Sequence, residues 1–205
     1  MSTTLERETF VLGPEHNGLV MTPEEFDAIT EYDENYRYEL IHGVLIVNAI
    51  PAPQETGPNQ FFGHRLLSYQ ETHPQGHALD DTLPEQYVRT ATGRRRADRL
   101  IWAGLGRQPD PRTDVATIAL EFVSRDRRSF RRDYIEKRDE YRDAGIQEYG
   151  IIDRFRRTMT VYRRQGDGWS ESVLTENDVY RTEFLPGFEL PLARLLGVAD
   201  RYPQE

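Results

Sequence analysis

Two acids and one lysine carry the chemistry that this sequence suggests. Asp98 stands in ADRLI (97–101) and Glu121 in LEFVS (120–124), each in or beside a stretch that is otherwise apolar or β-prone. An ionised carboxylate in a buried strand is costly unless a cation or hydrogen-bond donors pair it. Two such acids from neighbouring strands would share one Mg²⁺ or Mn²⁺, which prefer oxygen ligands. The alternative is an acid at a strand end, paired with Arg96 or Arg99. Lys137 lies on the helix predicted after the Glu121 strand. Phe130, Tyr134, Lys137 and Tyr141 follow at steps of four, three and four, which puts them on one face. Lys137 is the one lysine in a chain that otherwise uses arginine. Facing the acids, its ammonium would orient a water or offset developing charge; the alternative is a packed stem with its head in solvent. Glu39, in YELIHG, is a further candidate ligand or a group that steadies one. Its alternative is the exposed face of an alternating strand.

The elements that must position these groups are legible in outline. Residues 1–20 read as a loose N-terminal arm and 21–200 as a single domain. Thr22 is an N-cap, Pro23 suits the first helical position and Glu25 completes a capping box. Residues 37–47 read as a hairpin turning at His42-Gly43. Pro51 and Pro53 break the chain, and apolar spacing predicts a helix over 60–69. Short strands are predicted near 77–80, 86–90 and 96–102, and a loop over 104–112. VATIALEFV (115–123) is the most apolar strand and is predicted to be central. A helix over 129–144 is closed by Gly145. A strand at 147–153, a hairpin of 158–164 with 169–174, and a terminal strand with a helical tail over 184–196 complete the order. This is an α/β (α+β) pattern, a central mixed sheet flanked by helices with a β-rich C-terminal part.

Composition narrows the class. The 205 residues contain no cysteine, which removes disulfides and thiolate metal sites. No apolar run is long enough to cross a membrane, and residues 1–10 lack the pattern of a signal peptide; a cytoplasmic protein is expected. The net charge is −9, yet residues 89–137 hold thirteen Lys/Arg against seven Asp/Glu. A basic middle in an acidic chain is a candidate phosphate-binding face; its alternative is a solvated arginine-rich surface. Neither a P-loop nor a dinucleotide fingerprint is present. His73 and His77 are separated by Pro74 and Gly76, so no continuous helix presents them as a zinc pair.

YELIHGVLI, APQE, ADRLI, LEFVS, EKRDEYRDAGIQEYGIID, VYRR and LPGFEL occur in this order. The ordered set resembles the Uma-two family of restriction endonuclease-like proteins, a branch of the PD-(D/E)XK nuclease superfamily. The resemblance runs over about 22–196 and is most specific over 136–153. It implies a restriction endonuclease-like fold. It also implies that Asp98 matches the aspartate of the Pro-Asp element, with Ala97 in place of the proline, and that Glu121 matches the acid of the next strand. The superfamily lysine is usually two residues after that acid, where this chain has Val123; in this family it matches Lys137 on the following helix. Glu39 matches an early glutamate, and His64 stands where a helix histidine is common in similar sequences.

The function so implied is metal-dependent endonucleolytic hydrolysis of nucleic acid, DNA above all. Asp98, Glu121 and the Phe122 carbonyl would hold Mg²⁺ or Mn²⁺, with Glu39 binding directly or through water. Arg94, Arg95, Arg96, Arg127, Arg128, Arg131 and Arg132 are candidate phosphate contacts, with His64 nearby in role. A homodimer is expected, since two cuts need two sites. Two other readings stand beside it: a non-catalytic nucleic-acid-binding or assembly protein that keeps the fold, and a metal-dependent hydrolase of a small phosphorylated molecule.

Overall fold

Thr22 caps the first helix, α1 (Pro23–Asp27), by the exchange that its sequence predicts. Its hydroxyl accepts from Glu25 N, and the Glu25 carboxylate accepts from Thr22 N. The computed structural model describes residues 10–124 and 132–202, with the backbone alone for 132 and 133. These fall into two compact units, one made of residues up to Ile50 with Ala91–Arg95, the other of Pro51–Thr90 with the chain from Arg96 onward.

In the first unit, β1 (Tyr36–Ile41) and β2 (Val44–Ala49) form an antiparallel hairpin in register from Tyr36↔Ala49 to Ile41↔Val44. The turn is His42-Gly43, with φ of 50° and 78°, the positive values that a two-residue turn matching strand twist requires. Leu40 also pairs with Arg94 at the start of β4 (Gly93–Ala103). The segment 10–20, expected to be a loose arm, is bonded down. Leu12 is buried, its N–H donates to Glu31 O and its carbonyl accepts from Asp33 N, while Gly18 N donates to Leu45 O.

The second unit holds a mixed sheet in the order β4, β5 (Ile118–Phe122), β6 (Glu148–Asp153), β7 (Thr158–Gln165), β8 (Gly168–Thr175), with β3 (Leu79–Thr90) paired to β4. β4–β5, β6–β7 and β7–β8 are antiparallel and β5–β6 is parallel. β3 is continuous where two short strands were expected. Glu85, after Pro84, takes φ 58°, and this local distortion reads in the sequence as a break.

Helix α2 runs from Pro53 to Thr72, seven residues earlier than its apolar spacing suggests. Pro53 starts the helix instead of stopping it, because a first-turn N–H has no intrahelical partner to lose. Pro58 inside it is tolerated because Pro58, Phe62, Leu66 and Tyr69 form a buried stripe. Phe62, Leu66 and Tyr69 pack with α4 (Leu192–Ala199) on Ile118, Leu120, Phe122 and Ile152. The other sheet face carries Leu100, Trp102, Ala119, Tyr149, Ile151 and Tyr162 against Tyr141 of α3 (Lys137–Asp143). β5 is thus covered on both faces, as its apolar run predicts. Five residues of π-helical winding, 132–136, lead into α3; the sequence pattern predicts a uniform α-helix there. Gly145, at φ 98°, ends α3, with Ile146 N on Tyr141 O and Gly145 N on Arg142 O, the paired bonds of a Schellman stop. β9 (Val179–Tyr180) pairs with β10 (Leu190–Pro191) beyond the hairpin.

One buried acid ties this end of the unit together. Glu148 has no exposed surface and accepts from Tyr180 OH, from Thr182 Oγ1 at 3.0 Å and from Arg163 Nε at 2.8 Å. Burial raises its carboxyl above the ordinary value, against the opposite pull of these donors. An acid raised in the fold contributes most below its unfolded pKa and loses that contribution as pH rises through the folded value. Glu148→Gln, which does not titrate, is expected to gain on the parent chain as pH rises from about 4.5 to neutrality. Urea unfolding at both ends of that window reads this; a constant difference would mean that Glu148 titrates alike folded and unfolded.

Candidate active site

The β4–β5 ladder runs Ile101↔Ile118, Leu100↔Ala119, Arg99↔Leu120. Continued by one residue, this register opposes Asp98 to Glu121. Alternation along a strand puts both acids on the face of Leu100 and Ala119, the face that α3 covers. The ladder gives way at this point. Asp98 Oδ2 accepts from Phe122 N at 2.6 Å, and the Asp98 carbonyl turns to Asn59 Nδ2 at 2.8 Å. A side-chain carboxylate thus takes an N–H that a strand neighbour would otherwise pair.

Glu121 is 3% exposed and fully engaged on this face. Tyr141 OH donates to its Oε1 at 2.8 Å, and Lys137 Nζ stands 2.9 Å from its Oε2. Lys137 Nζ also donates to the Arg96 carbonyl at 2.8 Å and is itself 2% exposed. Lys137 and Tyr141 are one helical turn apart, so one face of α3 delivers both donors. Lys137 is the only lysine of the chain.

On the opposite sheet face a second cation fixes the backbone beneath Asp98. Arg99 donates to Asn59 Oδ1 at 2.7 Å, Asn59 O at 3.0 Å and Thr82 Oγ1 at 2.9 Å. Burial lowers its pKa to about 10. Its guanidinium lies against Gly63 of α2, where a Cβ would come within 2.5 Å of Nη2. Glycine there lets helix and strand approach closely enough for Asn59 to reach the Asp98 carbonyl.

Phe122 is the buried last residue of β5. Glu39 lies on β1 in the first unit, 3% exposed, and accepts from Asn48 Nδ2 at 3.2 Å. His64 is exposed on α2. Arg94 and Arg95 do not form the basic surface expected of them. Arg94 is buried and grips Asp27 through Nε at 3.0 Å and Nη2 at 2.7 Å, and Arg95 has no exposed surface. Both lie in the opening stretch of β4, where Gly93, Arg94 and Arg95 are all buried. Arg96 is half-buried, 3.0 Å from Glu85. Arg127, Arg128 and Arg131, and the Arg132 side chain, lie outside the described residues. Tyr141 and Asn59 were not read as site residues; for Tyr141 the signal was its one-turn spacing from Lys137.

A family model described as "Putative restriction endonuclease", Uma2, matches residues 23–193. The chain belongs to the Uma2 family. A crystal structure of a protein from Anabaena variabilis, described as a putative nuclease belonging to DUF820, shares the fold. It superposes with a TM-score of 0.67 at 16% identity, covering 87% of this chain and 99% of that one. A comparison with curated proteins finds no match. The restriction endonuclease-like fold, a large mixed sheet with helices on both faces of its central strand, is therefore the fold of this Uma2 chain.

A divalent cation is tested against the donor set itself. Among the described residues, no three His, Cys, Asp or Glu side chains converge on one point. Two hard carboxylates opposed on adjacent strands do suit Mg²⁺ or Mn²⁺, which keep several waters and take only one or two protein carboxylates.

The pair at Glu121 has a measurable consequence. Lys137→Met takes the cation away from a buried carboxylate and is expected to cost roughly 3–5 kcal/mol of stability. The double variant Lys137→Met, Glu121→Gln is expected to cost less than Lys137→Met alone. Urea unfolding of the parent, of Lys137→Met and Glu121→Gln singly and of the double variant reads this, and strictly additive losses would mean that the two charges are uncoupled.

Proposed function

We propose that this Uma2 protein is a divalent-metal-dependent endonuclease that hydrolyses phosphodiester bonds of DNA. The observation that carries the reading is the opposition of Asp98 to Glu121 where the β4–β5 ladder ends, with Lys137 on Glu121. Asp98, Glu121 and the Phe122 carbonyl are the groups that would hold Mg²⁺ or Mn²⁺. A bound cation supplies Lewis acidity, which lowers the pKa of water and offsets the charge of the phosphate. Glu39 enters the proposal through its sequence setting in YELIHG and through the resemblance.

The chain's own residues do the rest. Tyr141 and Lys137 hold the Glu121 carboxylate in one orientation, so its oxygens need no reorganisation when substrate arrives. The Asn59 and Arg99 network holds the Asp98 backbone, and Phe122 N holds its carboxylate. Lys137 brings a full positive charge to the acids in a water-poor setting, where it counters negative charge that grows on a phosphate under attack. Arg96 is the member of the 94–96 run that keeps part of its surface for a phosphate contact. A homodimer acting on both strands and a cytoplasmic location belong to the same proposal.

A non-catalytic nucleic-acid-binding role is favoured by one observation, the burial of Glu121 beneath its own lysine and tyrosine. Cleavage separates the readings. Plasmid, linear duplex, single-stranded DNA and RNA are incubated with Mn²⁺, with Mg²⁺ and with chelator, beside Asp98→Ala. Cutting that needs metal and is lost by at least 100-fold in Asp98→Ala is expected on DNA, in keeping with loss of a group acting in the transition state. Cutting that persists in the variant would place the activity elsewhere. Binding without cutting under every metal would favour the non-catalytic role.

A further inference from the structure

β5 and β6 are parallel, with Phe122 opposite Ile152, so Glu121 and the residues after Asp153 lie at the same, carboxyl end of the sheet. In open sheets with parallel strands this end is where ligands gather. Arg154 is the first residue beyond β6. Its turn is built: Asp153 Oδ1 accepts from Phe155 N and Arg156 N, both at 2.9 Å. The side chain borders a small cleft with Phe122, Val123, Gln54, Pro58 and Leu196. Two of these are the residues that directly follow Glu121.

The guanidinium of Arg154 is placed unlike the others around it. Arg96, Arg157 and Arg163 each meet a carboxylate, on Glu85, Glu176 and Glu148. Arg154 Nε and Nη1 are buried and meet no acceptor among the described residues. Its Cζ stands 4.5 Å from the centre of the Phe155 ring, and Phe155 is 47% exposed. A ring face attracts a cation but takes up none of its N–H donors. Buried donors without an acceptor weigh against the fold, and a position that keeps them is one where an acceptor arrives from outside. A guanidinium fork suits the oxygens of a phosphate.

We infer that Arg154 is a phosphate contact of the substrate, gripping a backbone phosphate beside the one that is cut. The inference rests on the nuclease reading above. It adds a binding residue from outside the Asp98, Glu121 and Lys137 group, on the α2 side of the same strand ends.

The test is binding, with chelator present so that nothing is cut. Labelled duplex DNA, single-stranded DNA and RNA are titrated by anisotropy at several salt concentrations. Arg154→Met is expected to bind ~10-fold more weakly, the order of one charge-assisted bond, and to lower the salt slope by about one. Its melting temperature is expected to stay level or rise, since unsatisfied donors are removed. Arg154→Lys, which keeps the charge and loses the fork, is expected to hold the salt slope and bind with intermediate affinity, and it carries the test if the methionine variant does not fold. Arg107→Met, on an exposed loop and paired with Asp114, is the control. Unchanged binding by Arg154→Met overturns the inference alone. So does an equal loss in Arg107→Met, or weaker binding that comes with a lower melting temperature. A parent chain that binds none of the nucleic acids overturns the nuclease reading and this inference with it.

Discussion

A carboxylate in the middle of an apolar strand stays ionised only where the surrounding chain supplies donors, and the Glu121–Lys137 pair is where this chain does so. Both partners are almost wholly buried. Desolvating two ions costs several kcal/mol each, and their attraction recovers this only when the remaining hydrogen-bond capacity is also met. Here it is met from fixed directions. Tyr141 takes one oxygen of Glu121, Lys137 the other, and the Arg96 carbonyl takes a further proton of the ammonium. Geometry of this kind does little for net stability against an apolar substitute. It does fix where a negative charge points, which is the property a cation site needs.

The fold can be understood as the means of bringing those donors to that acid. β5 and β6 are parallel neighbours, so the chain must cross over between them, and α3 lies on that crossover. The crossover puts one face of α3 over the sheet at Glu121. Its end is set by the Gly145 stop, and that stop fixes how far Lys137 and Tyr141 stand from the strand that follows. The other sheet face is closed by α2 and α4, which leaves β5 dry on both sides. The same dryness that makes the ion pair costly makes its field strong.

Much of this was legible in the sequence because it rests on local rules. An apolar run of strand length marked β5, an acid within it marked Glu121, and spacing along a helix put Lys137 and Tyr141 on one face. Thr22, Gly145 and the His42-Gly43 turn were read from capping and turn chemistry, and the structure has each in place. What was not legible depends on tertiary packing. Pro53 breaks a helix or begins one according to what the following residues bury, and Phe62, Leu66 and Tyr69 bury enough to extend α2 back to it. β3 looked like two strands because the distortion at Glu85 interrupts the pattern without ending the pairing. Asn59 gave no signal, since its role is to fit between a glycine-lined helix face and Arg99.

The arginines show why charge along a sequence is a poor map of charge on a surface. The basic stretch over 89–137 reads as a phosphate-binding face. In the fold, Arg94 is spent on Asp27, Arg99 on Asn59 and Thr82, and Arg95 is buried outright. β4 is buried at both Arg94 and Arg95, consecutive residues on opposite faces of the strand, and a guanidinium long enough to find acceptors can follow the strand in. Among the described residues, Arg94, Arg95 and Arg99 of this stretch are turned inward, in a chain whose net charge is −9. Under the proposed nuclease reading, a polyanion would be held by a few cations placed at the ends of the strands. That reading singles out positions by geometry: Lys137 beside the acids, Arg96 at the half-buried edge of β4, and Arg154, whose buried donors have no acceptor among the described residues.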